Sequence, residues 1–93
     1  MGSEQVTKLR TLLRRYISGE LDTSQFCDAF ERAYNFEVAK ADLNRIEGEA
    51  FAELFDKVVF YSPYPDERAR IPNYRSEREI MEAAKRTAAK LGL

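Results

Sequence analysis

The chain contains no histidine, and only one of its 93 residues is cysteine. The first absence removes the commonest general base and the commonest transition-metal ligand. The second rules out an internal disulfide and a cysteine-built zinc site, and a lone Cys27 fits a reducing compartment. Four scattered glycines form no phosphate-cradling loop. No apolar run approaches the roughly 18 residues that a membrane helix needs, and the N-terminus shows no apolar signal segment. Of the usual catalytic constellations, only carboxylate-only chemistry can be assembled from what remains. A binding protein is expected, with no catalytic residues, no cofactor and no metal.

What is present is one domain's worth of material, residues 1–93, enough for one modest core. The apolar share of 44% against 33% charged is that of an ordinary globular chain, so a packed interior is expected. The net charge of −1 hides a partition. Residues 1–19 carry four bases and one acid (+3), residues 20–67 four bases and twelve acids (−8), and residues 68–93 seven bases and three acids (+4). An acidic block between basic ends reads either as a field aimed at a cationic partner or as solvated surface.

Hydrophobic periodicity predicts four helices. The first runs from about Ser3 to Ser18, with Val6, Leu9, Leu13, Tyr16 and Ile17 at helical spacing, Ser3 as N-cap and Gly19 as terminator. The second starts at Asp22, which forms a capping-box pair with Gln25. Phe26, Ala29, Phe30 and Ala33 make its apolar stripe. Cys27 at the stripe's edge reads as a small core residue. The pattern breaks over residues 35–40, and Asp42 is expected to cap the third helix. The apolar face of that helix comprises Leu43, Ile46, Ala50, Phe51, Leu54, Phe55 and Val58. Gly48 inside it suggests a closely approaching neighbour. The fourth begins with the capping box Ser76–Glu79, and Ile80, Ala84, Thr87, Ala88 and Leu91 follow at helical spacing with Met81 beside them.

Between the third and fourth helices, residues 62–75 form a long connection with Pro63, Pro65, Pro72, Tyr64 and Tyr74. Connections of that length are usually functional or disordered, and these residues argue for an ordered loop. Residues 58–61 are the only strand-like run, with nothing to pair with. The expected fold is all-α: a four-helix antiparallel bundle with a long ordered loop between helices three and four, and Phe26, Phe30, Phe51 and Phe55 supplying core volume.

The chain resembles the colicin D immunity protein family from about Leu9 to Leu91. The likeness is carried by Ile17-Ser18-Gly19, Phe26, Phe30-Glu31-Arg32, Tyr34 and Leu54-Phe55-Asp56. Its more specific part is the run Tyr61-Ser62-Pro63-Tyr64-Pro65-Asp66-Glu67-Arg68 with Pro72-Asn73-Tyr74. The resemblance implies a four-helix bundle that binds a cognate nuclease toxin one to one and blocks its active site. In the colicin D case the toxin cleaves tRNA, and acidic side chains of the inhibitor take the place of RNA phosphates. The basic fourth helix departs from a uniformly acidic surface.

The residues add a physical argument at this point. A nuclease that grips phosphates needs a cationic cleft, which an acidic face can fill. Glu47, Glu49, Glu53 and Asp56 lie on or near the third helix, and Glu49, Glu53 and Asp56 share one face at i, i+4, i+7. Asp66 and Glu67 follow in the loop. The competing account is a solvated helix face. Tyr64 is either an interface anchor or a pin for the loop, whereas Tyr61 and Tyr74 read as structural. These seven residues, Tyr64 and the six acids, are the candidate contact set. Expected with them are a monomeric free protein, a cytoplasmic location, no membrane and no direct nucleic-acid contact, because Arg10, Arg14 and Arg15 lack an aromatic stacking platform. The alternative is a small helical interaction module with a non-toxin partner.

Overall fold

Local capping chemistry sets most of the helix ends. In the computed structural model, which describes residues 4–62, 64–71 and 74–93, the order is α1 (Glu4–Ile17), α2 (Thr23–Arg32), a π-helical turn (Ala33–Glu37), a 3₁₀ turn (Lys40–Asp42), α3 (Arg45–Val58), α4 (Pro65–Arg70) and α5 (Glu77–Leu91). Ser3, Pro63, Pro72 and Asn73 lie outside the described residues. At α2, Asp22 Oδ1 accepts the Gln25 N–H at 2.7 Å and Gln25 Oε1 accepts the Asp22 N–H at 3.0 Å. Ser76 and Glu79 repeat the arrangement at α5. α1 ends at Gly19, whose φ of 92° is open to glycine at little cost. There the Glu20 N–H reaches the Arg15 carbonyl (2.9 Å) and the Gly19 N–H reaches Tyr16 (3.1 Å), a Schellman pair that satisfies two end carbonyls.

The chain is all-helical, with no strand among the described residues. Among the described residues there are five α-helices where periodicity predicts four, because the connection over 62–75 holds α4. Proline opens that helix, Asp66 and Glu67 occupy its first turn, and Arg68 and Arg70 its last, which suits the helix dipole. An isolated parallel bridge, Tyr61 to Arg75, closes the connection: Ser62 N–H donates to Arg75 O (3.0 Å) and Arg75 N–H to Phe60 O (2.7 Å). Residues 58–61 thus find a single pairing but no sheet.

Three further expectations for α3 are corrected. Asn44, not Asp42, caps it: Asn44 Oδ1 accepts the Glu47 N–H (2.8 Å) and Glu47 Oε1 accepts the Asn44 N–H (3.0 Å). From Asp42 the corresponding third position is Arg45, which cannot accept. Ile46 is 59% exposed, because it falls just outside the arc of Ala50, Phe51, Leu54 and Val58. A Cβ built on Gly48 meets nothing within 4 Å, so no neighbour requires a glycine there.

The core is an aromatic series crossing from α1 to α3. Tyr16 stacks on Phe26 at 4.4 Å between ring centres, Phe26 leads to Phe30 at 5.5 Å, and Phe30 to Phe51 at 6.1 Å. The last two spacings lie in the range that aromatic pairs prefer, and the stacked Tyr16–Phe26 pair sits at its lower edge. Tyr16 keeps its hydroxyl satisfied on Thr23 Oγ1 at 2.9 Å. Phe26, Phe30 and Phe51 are fully buried, together with Leu9, Leu13, Leu54 and Ile80. Phe55, expected among them, is only partly buried and stacks on Tyr34 at 4.7 Å at the core's margin. Cys27 is buried. No helix among the described residues is long and apolar enough to cross a membrane.

Candidate partner-binding face

With Ala50, Phe51, Leu54 and Val58 turned inward, the helical period turns Glu49, Glu53 and Asp56 to solvent. All three are exposed on one face of α3. Their electrostatics differ. Glu49 pairs with Arg45 one turn earlier at 3.3 Å, both side chains well exposed. Glu53 is engaged by Lys90 of α5, whose hydrogen bond and positive charge hold the Glu53 carboxyl below the ordinary glutamate value. Asp56 has no ion pair among the described residues. Exposed pairs of this kind contribute little, since water solvates both groups when they part. An incoming cation can therefore replace Arg45 or Lys90 at small cost.

Glu47 has a different task. It is 7% exposed and accepts from Arg10 Nη2 at 2.8 Å and Nε at 3.1 Å, while its second oxygen holds the cap at Asn44. Burial pushes its pKa up, but the Asn44 N–H and the Arg10 guanidinium outweigh that and hold the carboxyl below the ordinary value. It ties α1 to the start of α3 and is turned away from any incoming surface.

The remaining candidates sit on or beside α4. Ser62, buried at 2% exposure, organises them. Its hydroxyl donates to Glu67 Oε2 at 2.8 Å and accepts the Tyr64 N–H at 3.2 Å, and its carbonyl accepts from Arg68 Nη1 at 2.8 Å. Glu67 is thus occupied internally. Asp66 is exposed in the first turn of α4, and Tyr64 is 61% exposed just before it. Tyr61 packs against the core and Tyr74 is half-buried. The structure therefore presents Glu49, Glu53 and Asp56 on one helix face, Tyr64 and Asp66 on a second element, and commits Glu47 and Glu67 to internal bonds.

Sequence reasoning passed over several exposed apolar side chains. Val59 and Phe60 directly follow α3, and Ile71 follows α4; all three are at least 36% exposed. Phe36 is 85% exposed on the π-helical turn. A signal for Phe36 was available: it stands six residues after Phe30 and ten after Phe26, off their stripe. The turn that carries it is anchored, since Lys8 pairs with Glu37 at 2.6 Å and Lys40 lies 3.7 Å over the Tyr34 ring while donating to the Tyr34 carbonyl. Among the described residues, no group of three or more His, Cys, Asp or Glu side chains is placed to hold a metal ion. Comparison with known protein families, characterised proteins and solved structures finds no match to this chain.

Proposed function

We propose that this protein is an immunity protein, a stoichiometric inhibitor that binds a bacterial nuclease toxin, tRNA-cleaving as in the colicin D case, and blocks its active site with an acidic surface. It acts in the cytoplasm as a monomer, without catalysis and without touching nucleic acid, and its four longer helices serve as an antiparallel four-helix bundle that holds the face rigid. The observation that supports the reading is the exposed face Glu49, Glu53 and Asp56, set at i, i+4, i+7 opposite a fully packed side of α3. Such a face matches a cleft built to grip phosphates. Tyr64 and Asp66 extend the contact, and the resemblance in residues 61–68 points to the same family. Glu47 and Glu67 support the face from behind.

The test uses the nuclease domain of a toxin encoded beside this gene. Inhibition should saturate at one to one, and association should slow as salt rises, because exposed charges steer encounter. Reversing Glu49, Glu53 and Asp56 together to Lys should abolish protection with the fold intact. Reversing Lys85 and Arg86 to Glu should leave protection unchanged. The opposite pattern would refute the acidic-face mechanism. One observation favours the second reading, a helical module with a non-toxin partner: Phe36 is held out on an anchored turn, as an apolar contact residue would be. Loss of binding on Phe36→Ala, with no effect of the acidic reversals, would select it.

A further inference from the structure

The two basic ends of the chain have no task in the acidic-face reading, yet they meet in the fold. α1 and α5 together bound an open groove of about 390 Å³ near their C-terminal ends. Its floor is apolar: Ile17, Ala88, Ala89 and Leu93. Arg14 lines it from α1 and Lys85 from α5. Neither cation has an ion-pair partner among the described residues, a state they share with Arg32, Lys40, Lys57, Arg68, Arg70 and Arg86; what sets these two apart is that both line one apolar groove. They are not needed to satisfy the helix ends either. The Gly19 turn does so for α1, and at α5 Gly92 (φ 73°) places the Leu93 N–H 2.8 Å from the Ala88 carbonyl.

We infer that this groove binds an anionic amphiphile, a medium-chain carboxylate whose head group lies between Arg14 and Lys85 and whose chain covers Ile17, Ala88, Ala89 and Leu93. The volume falls at the small end of the roughly 300–1,000 Å³ of small-molecule sites. A docked helix, about 10–12 Å across, would need anchor pockets at successive turns and so a longer trough than these few residues provide. Two cations lining one groove favour a carboxylate head group, and the apolar floor favours an alkyl chain behind it.

Sodium decanoate below its micelle concentration, titrated into the isotope-labelled full chain, tests the assignment, with decanol and decyltrimethylammonium as matched probes. Saturable amide shifts confined to residues 14–18 and 85–93 are expected, decanoate binding tightest and decyltrimethylammonium weakest. Octanoate should bind more weakly, by up to about fifteenfold for two methylenes. Arg14→Gln with Lys85→Gln should weaken decanoate about tenfold or more and leave decanol unchanged. Ala89→Trp, an exposed position that projects into the groove, should block all binding without lowering the melting temperature. Equal binding of decanol and decanoate, shifts spread over the surface, or an unaffected double variant would overturn the assignment. So would capture by phosphatidylglycerol vesicles with no response to decanoate, which would make the groove a membrane contact.

Discussion

Gly48→Ala and Gly19→Ala form a matched pair whose effects should have opposite signs. At both positions an added Cβ meets nothing within 4 Å, so packing does not separate them. Backbone conformation does. Gly48 lies inside α3, and its φ is not in the positive range. Alanine there gains helix propensity, about 0.8–1 kcal/mol, partly by narrowing the unfolded ensemble. Gly19 has φ 92°, where an alanine Cβ crowds the following carbonyl and costs about 1–2 kcal/mol. In a domain of this size about 1 kcal/mol moves the melting temperature by roughly 4–8 °C. Gly48→Ala should therefore raise it by about 4–8 °C and Gly19→Ala lower it by at least as much. Thermal and urea unfolding followed by helical circular dichroism measure both, and an unchanged urea slope would show that stability alone has moved. A destabilised Gly48→Ala protein would refute the reasoning, because it would require a close neighbour at that position.

Phe30→Ala should cost about 3–5 kcal/mol and unfold much of the population at room temperature, because Phe30 is fully buried at the centre of the aromatic series. Phe55→Ala should cost clearly less, since that ring is only partly buried; equal losses in urea titrations would place Phe55 in the interior after all. Glu47 has a folded pKa below the ordinary 4.5, so its contribution is present above that pH and is lost as pH falls through the depressed folded value. The parent should lose melting temperature below about pH 4.5 more steeply than Glu47→Gln, the two converging in acid; parallel curves would show that the Arg10–Glu47 contact is not coupled to folding. Burial pushes the Cys27 thiol up to about 12, so a thiol reagent at neutral pH should label it only at the rate of unfolding. Prompt labelling of the native protein would contradict its buried position.

How far the sequence reached is clearest at the helix ends. Capping is a conversation between residues three apart, so Asp22–Gln25, Ser76–Glu79 and the glycine after α1 were legible without any tertiary information. The stripes that bury Leu9, Leu13, Phe26, Phe30, Leu54 and Ile80 were legible for the same reason: a helix's period is local. Two misses were also local in origin. The Asn44–Glu47 box was present in the sequence beside the rival Asp42. The signals of α4 were present too, a proline start with acids first and bases last, but six residues are too few to show a period.

The character of the acidic face was decided only by the tertiary fold. Glu47 and Glu53 look alike in sequence, two glutamates of one helix. Arg10 and Lys90, each 37 residues from its partner, make one a buried tie and the other a paired surface charge. The groove between Arg14 and Lys85 depends on α1 and α5 meeting, across 71 positions of sequence. Periodicity and capping act within a turn or two and reach the eye through spacing. Charge pairing and cavity shape depend on which elements pack together, and no spacing along the chain encodes that directly.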